Sequence, residues 1–160
     1  MKVAVMEAME EIRYENIQPD EDGSYLKELQ RLVRGNIEAF DVLYGNQPLL
    51  WVNESGILEG MIPNRAVYAN QRMKERKYLS MMDKHTPIKK DELYTILYGP
   101  IIACSYEVSV EGERVMRDLT PEEMSRLEDD FWNANSGIEE ALKLRIMAMN
   151  RRSQERGIHA

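Results

Sequence analysis

Residues 51–66 read WVNESGILEGMIPNRA, and this stretch decides the fold. Residues 49–52 form a short apolar run of the kind that favours a half-buried strand. Residues 53–56 are polar and contain a glycine, so they predict a turn. The apolar pair at 57–58 then predicts a returning strand. Together these features indicate a β-hairpin.

A corner follows this hairpin at Pro63. Proline disfavours helical geometry in the residue before it, so Ile62 is expected to be extended. Asn64 can accept a hydrogen bond from nearby backbone, which predicts a helix start. We expect a surface helix over about 66–84, although its apolar stripe is thin.

The other segments predict an α+β domain with an antiparallel sheet, one packed helix and a helical carboxyl end. Alternating apolar residues predict strands at 2–7, 12–17 and 37–43. Gly99 and Pro100 predict a bend, and the apolar run at 101–104 predicts a central strand buried on both faces. The first two strands should pair as a hairpin, and so should the strands at 37–43 and 49–52, across a turn at 44–48.

Three further helices are predicted. The first follows Ser24 and ends at Gly35, with its leucines on one face. The second begins at Thr120, a capping residue followed by Pro121 at the first helical position and an acid at the third, as in a capping box. The third begins near Ser136 and keeps apolar residues on one side. We therefore divide the chain into a mixed α/β domain at 1–133, with a basic insertion at about 67–92, and a C-terminal amphipathic helix at 134–160.

Composition places the chain among soluble globular proteins. Of its 160 residues, 43% are hydrophobic and 31% are charged. No stretch approaches the roughly 20 consecutive apolar residues that span a bilayer, and the amino terminus lacks the pattern of a signal segment. The single Cys104 cannot form an internal disulfide, which suits a reducing compartment. We expect a cytoplasmic protein without membrane association.

The net charge of −7 is unevenly distributed along the chain. Residues 71–90 carry 7 Lys or Arg against 2 Asp or Glu, whereas residues 91–140 carry 3 against 13. Oppositely charged segments can simply neighbour each other in the fold. Alternatively, an acidic surface can mimic nucleic acid while a basic element holds an anionic partner. DNA binding by the whole protein is disfavoured, because phosphate affinity comes from clustered cations.

Four short segments carry a family resemblance: LQRLVRGNIE at 29–38, VNESG at 52–56, PNRA at 63–66 and ILYGP at 96–100. Their order and spacing resemble a family of small domains of unknown function found in bacteriophages, plasmids and conjugative elements. The resemblance spans about residues 2–132. It implies origin from a phage or mobile element in a bacterial host cell, but it implies no activity. The basic insertion and the final helix depart from the family pattern.

Few residues here point to catalysis or to a cofactor. His85, His159 and Cys104 are far apart in sequence, so no paired metal-binding motif is present. Cys104 lies in an apolar run and is expected to pack as a small buried side chain. The glycines are isolated at turns rather than grouped in a phosphate-binding loop. We expect neither metal nor cofactor, and no enzyme is predicted.

A group of polar and aromatic residues flanks the two corners of the opening stretch. Two interpretations of this group remain open. In the structural one, the asparagines bond to backbone and the arginine pairs with Glu54 or a helix carbonyl. In the functional one, both corners meet at one edge and Arg65 clamps a phosphate or carboxylate. The candidate binding residues are Trp51, Asn53, Glu54, Asn64, Arg65 and Tyr68.

These observations favour a non-enzymatic accessory protein of a phage or mobile genetic element that binds a host protein or a small anionic ligand. One alternative is an inhibitor of bacterial defence, acting as an acidic decoy or sequestering a small nucleotide signal through Arg65. Another is an enzyme of a type that the sequence does not reveal. A homodimer formed through the C-terminal helix also stays open, because its methionines suit either a core or a partner.

Overall fold

The computed structural model describes the backbone of residues 1–159 and the side chains of residues 1–156. It confirms an α+β fold built on an antiparallel sheet. The strands are β1 (Lys2–Met6), β2 (Arg13–Asn16), β3 (Ile37–Phe40), β4 (Leu49–Asn53), β5 (Pro63–Tyr68), β6 (Leu93–Tyr98), β7 (Ile101–Val108) and β8 (Arg114–Arg117). The helices are α1 (Leu26–Val33), α2 (Gln71–Glu75), α3 (Pro121–Phe131) and α4 (Ser136–His159).

The main sheet has the strand order β2-β1-β7-β4-β3, and β8 pairs with the far end of β7. Its pairings are antiparallel, and the two hairpins β1–β2 and β3–β4 are confirmed. The central strand is β7, in which residues 101–106 are buried. Its apolar run therefore identified the centre of the sheet correctly. A second sheet contains only β5 and β6.

Each face of the main sheet covers its own apolar cluster. On one face, α1 packs Leu29, Leu32 and Val33 against side chains of the central strands. On the other face, Val67 and Leu97 of the second sheet join residues of α2 and α3 in a larger cluster. The alternation of side chains along each strand separates these two cores. One helix thus packs alone on the first face, as predicted.

The predicted hairpin return at 57–58 is wrong. Residues 54–60 form turns, and Ile57 and Leu58 are 69% and 90% exposed. The place beside β4 is taken by β7, which is longer and buried on both faces. Gly56 instead packs against the second sheet, where an added Cβ would lie 2.8 Å from the carbonyl oxygen of Tyr98.

The predicted helix start at Asn64 and the surface helix at 66–84 are also wrong. Pro63–Tyr68 is β5, and only the short α2 follows it. Asn70, rather than Asn64, caps that helix by accepting a hydrogen bond from the Met73 amide. Four consecutive residues of β5, 64–67, are buried, so packing and pairing with β6 outweigh a weak helical pattern.

The two C-terminal helices are confirmed. Thr120 and Glu123 form the predicted capping box of α3, with each side chain bonded to the other residue's amide. α4 spans Ser136–His159, and position 160 of its predicted range lies outside the described residues. Over its whole length α4 shows little separation of apolar and polar faces, and its apolar side chains are not covered: Leu142 and Met149 are 56% and 58% exposed. Within residues 1–159, none of the helices combines the length and apolar composition that crossing a bilayer requires.

Candidate functional site

Arg65 lies fully buried at the centre of the molecule. Its guanidinium donates hydrogen bonds to the carbonyl oxygens of Phe131, Glu7, Ala134 and Glu10, which come from two separate segments, residues 7–10 and 131–134. No described carboxylate lies within ion-pair distance of it. Burial lowers the pKa of Arg65 from its ordinary value, although an arginine stays protonated in proteins. The side chain therefore connects the end of β1 with the α3–α4 junction.

Asn64 occupies the adjacent position and is also fully buried. Its side-chain nitrogen Nδ2 donates to the carbonyl oxygens of Met6 and Gly99, both at 2.8 Å. Its side-chain oxygen accepts from Arg65 Nη1 at 2.7 Å. Asn64 and Arg65 therefore link the main sheet to the second sheet, and their role here is structural.

Asn53 ends β4 and holds the end of α1. Its Nδ2 donates to the carbonyl oxygens of Val33 and Arg34, and its Oδ1 accepts from the Ser55 amide. An added Cβ at Gly35 would lie 2.6 Å from this nitrogen, so the glycine permits the close approach. Arg34, rather than the predicted Gly35, adopts the left-handed conformation that closes the helix. Glu54 is exposed and accepts from Asn36 Nδ2 at 3.1 Å.

The two aromatic candidates lie in different places. Trp51 packs in the α1-side cluster, on the sheet face opposite Arg65. Tyr68 lies near the start of α4 and donates from its hydroxyl to Glu140 at 3.2 Å. Burial and the nearby Glu140 carboxylate raise the pKa of Tyr68 to about 12. Tyr68 also lines an open cleft of about 490 Å³, beside the exposed Trp132.

The six candidate residues therefore do not converge on one edge. Asn64 and Arg65 form a buried structural unit, Trp51 lies across the sheet, and Tyr68 borders a separate cleft. Asn53 and Glu54 instead border a second open concavity. We call this concavity the edge groove and define it by residues 38–40, 52–58 and 95–98, which enclose about 520 Å³.

The edge groove lies between the edge strand β3 and the second sheet. Glu38 and Phe40 pair with Val52 and Leu50 in neighbouring strands, and both of these partners belong to the core shared with the second sheet. Side chains of paired residues share a face, so Glu38 and Phe40 both face the groove: the half-buried Phe40 lies on its floor, and the exposed Glu38 lies at its border. β6 forms one wall, and the turn carrying Ile57 and Leu58 forms the other.

The rim of this groove is apolar and acidic. Leu58 is 90% exposed, which is unusual for a leucine on a monomeric domain when other apolar residues surround it. Glu38 and Glu54 have no lysine or arginine within ion-pair distance among the described side chains. An apolar floor bordered by two unpaired carboxylates suits a ligand that is apolar and positively charged.

Other chemistry has little structural support. Among the described residues, no group of three or more His, Cys, Asp or Glu side chains is placed to hold a metal ion. Cys104 is fully buried, and burial raises the pKa of its thiol to about 12. A thiol in that environment is a poor nucleophile.

The family with the description "domain of unknown function (DUF3846)" matches residues 1–131. The chain belongs to this family. The match confirms the resemblance to a family of unknown function, and it ends at the last residue of α3, so α4 lies beyond it. No curated protein and no solved structure matches the chain.

Sequence reasoning missed the groove because its walls come from segments far apart in the chain. The residues at 38, 54 and 96–98 all fall within the family-like segments, but their mutual placement depends on the pairing of β5 with β6. The sequence shows that Ile57 and Leu58 are apolar, but not that they are exposed. An apolar pair after a turn normally continues a hairpin, so the sequence predicts a strand at this position.

Proposed function

We propose that this domain is a non-enzymatic accessory protein that binds a host protein through the edge groove. The observation that carries the proposal is the exposure of Ile57 and Leu58 beside an apolar floor. Contiguous exposed apolar surface with a polar rim is typical of protein interaction sites. The groove residues include no histidine, cysteine or lysine, and the two groove carboxylates, Glu38 and Glu54, are exposed, so the surface favours binding rather than turnover.

The proposed setting is a phage or mobile genetic element acting in the cytoplasm of a bacterial host. This setting is supported by the resemblance of residues 29–38, 52–56, 63–66 and 96–100 to domains carried by such elements. An accessory protein of this kind acts on a component of the host, so the proposed partner is a host protein.

An acidic decoy that inhibits bacterial defence is the second candidate function. It is supported by the net charge of −7 and by the concentration of carboxylates at residues 91–140. A decoy binds through long-range charge, so its affinity falls steeply with salt. The groove, by contrast, has an apolar floor, and binding there should keep much of its strength at high salt.

Sequestration of a small nucleotide signal through Arg65 has less support. The guanidinium is fully buried and already donates to four carbonyl oxygens. To reach a phosphate it would have to leave these acceptors unpaired, at about 1–3 kcal/mol for each buried group. The separate cleft beside Tyr68 carries Asp129 and Asp130 on its wall, which would repel an anion.

Affinity capture from a bacterial lysate tests the proposed function. The bait is compared with Leu58→Asp, which places a charge at the rim, and with Val110→Asp as a matched control. Val110 is fully exposed in the turn between β7 and β8, outside the groove. A partner retained by the wild type and V110D but lost with L58D supports the proposal. Recovery of the same proteins with all three baits would refute it.

A further inference from the structure

Resting on the proposed function, we infer that the edge groove receives an extended, positively charged segment of the partner protein, which adds to β6 as a third strand. β6 pairs with β5 along one edge, and among residues 1–159 no strand pairs with its other edge. An unpaired strand edge presents a row of backbone donors and acceptors. Such an edge can take a strand from another chain.

The groove reaches this free edge directly. Residues 95–98 are four consecutive positions of β6, and all of them line it. Consecutive residues of a strand point to opposite faces, so a surface that touches four in a row meets the edge of the strand. The occupant is therefore placed beside the backbone of β6 rather than on one face of the sheet.

The length of the open edge limits the occupant. At one end, Gly56 closes against Tyr98, with the carbonyl oxygen of Tyr98 only 2.8 Å from a Cβ built on the glycine. Residues 95–97 stay open, and at about 3.3 Å per residue they span roughly 10 Å. A segment of about three or four residues fits this edge.

The side chains around the edge define the chemistry of the segment. Residues on its inward face would contact Phe40 and Val52 on the floor, which suits apolar side chains. Its outward residues would pass Glu38 and Glu54, whose carboxylates lack a cationic partner among the described side chains. Alternation of apolar residues with lysine or arginine satisfies both surroundings.

Selection from a library of random linear peptides tests this inference. We expect the wild-type domain to enrich peptides in which apolar and basic residues alternate. The affinity of a selected peptide should fall about tenfold or more with Leu58→Asp and with the double variant E38K/E54K, since tenfold corresponds to about 1.4 kcal/mol. Val110→Asp and Glu111→Lys, at exposed positions of the β7–β8 turn, serve as matched controls and should bind as the wild type does.

Amide hydrogen exchange locates the bound peptide. Slower exchange at residues 95–97 on peptide addition supports strand addition to β6. Selected peptides that are acidic, or that leave these amides unchanged, overturn the inference. A concentration-dependent dimer that protects the same amides without peptide also overturns it, since a second copy would then fill the groove.

The two proposals fail separately. If a host partner is captured and its footprint lies outside residues 38–40, 52–58 and 95–98, the proposed binding function stands and strand addition is refuted. If the L58D bait captures every protein that the wild type captures, the host-binding proposal fails. If the selected peptides still slow exchange in β6, the inference that a basic, apolar segment adds to this strand stands.

Discussion

Asn64 Oδ1 accepts a hydrogen bond from Arg65 Nη1 at 2.7 Å, and this contact fixes a buried cation at the meeting point of both sheets and the α3–α4 junction. The asparagine is itself held by the carbonyl oxygens of Met6 and Gly99. A buried guanidinium surrounded by neutral acceptors is costly unless each donor is satisfied. The pair therefore specifies how β5 docks, and with it the position of the edge groove.

Arg65→Ala should strongly destabilise the domain. Removal of the side chain leaves the carbonyl oxygens of Phe131, Glu7, Ala134 and Glu10 without this donor and opens a cavity. We expect the free energy of unfolding to fall by about 3 kcal/mol or more. Urea unfolding followed by circular dichroism measures it.

Arg65→Lys is the matched variant. It keeps the charge but cannot reproduce the planar fork of donors, so its loss should be intermediate. If both variants unfold within about 0.5 kcal/mol of the wild type, the side chain does not connect these segments and the structural interpretation is wrong.

Gly137→Ala should lower the stability of the domain. Within a helix, replacing glycine by alanine usually raises stability. Alanine normally favours helix by about 1 kcal/mol over glycine. Here an added Cβ would lie 2.6 Å from the carbonyl carbon of Asn64 and 2.8 Å from the amide nitrogen of Arg65. We expect a net loss of about 1–3 kcal/mol as α4 is forced away from β5.

Ser153→Ala in the exposed part of α4 serves as the control and should be neutral or slightly stabilising. Thermal unfolding of both variants gives the comparison. A Gly137→Ala protein with a raised melting temperature would contradict the close packing of α4 on β5.

Glu123 should stabilise the domain at neutral pH, and this stabilisation should be lost in acid. Burial pushes the pKa of this carboxyl upward, but hydrogen bonds from Ser105, the Thr120 amide and Arg117 outweigh it and lower the pKa. The folded form thus binds its proton more weakly than the unfolded chain, where glutamate titrates near about 4.3. The stabilisation is complete above that value and is lost as pH falls through the lower pKa of the folded state.

The stability difference between the wild type and Glu123→Gln reports this contribution. At neutral pH we expect the variant to be less stable by about 1–3 kcal/mol. The gap should narrow as the pH falls below about 4.3 and close below the lowered pKa of the folded state, where the wild-type carboxyl is protonated as well. If the difference in the free energy of unfolding between the two proteins stayed constant down to a pH of about 2, the charge of the Glu123 carboxylate would not contribute to stability.

Cys104 should resist alkylation in the folded protein. It is fully buried in β7, and burial raises the pKa of its thiol to about 12, so thiolate is scarce and inaccessible at neutral pH. We expect a thiol reagent to modify it only at the rate of unfolding, with full labelling in denaturant. Rapid labelling of the native protein would mean that β7 is not the closed centre of the sheet.

The sequence predicted the elements whose signals are local. The capping box at Thr120 lies within four consecutive residues, and the apolar run before Cys104 marks a central strand in any arrangement. The hairpins β1–β2 and β3–β4 follow the same logic, because their partners are adjacent along the chain.

For the segment from Asn64 to Tyr68 the sequence predicts a helix start, which is wrong. Its strand partner, β6, begins only at Leu93, so the pairing leaves no local signal. Asparagine and arginine at a corner suggest a cap and an exposed cation, and only tertiary contacts reveal that both side chains are buried. The edge groove depends on the same long-range pairing. Its apolar rim could be read from the sequence, but its location could not.

The measurement that tests the central claim most directly is amide hydrogen exchange of the domain, alone and bound to the host protein captured by the wild type and not by Leu58→Asp. Binding through the edge groove predicts slower exchange at residues 38–40 and 95–97, with the β7–β8 turn unchanged. Protection confined to α4 or to the acidic surface of α3, with β6 exchanging as in the free domain, would contradict it.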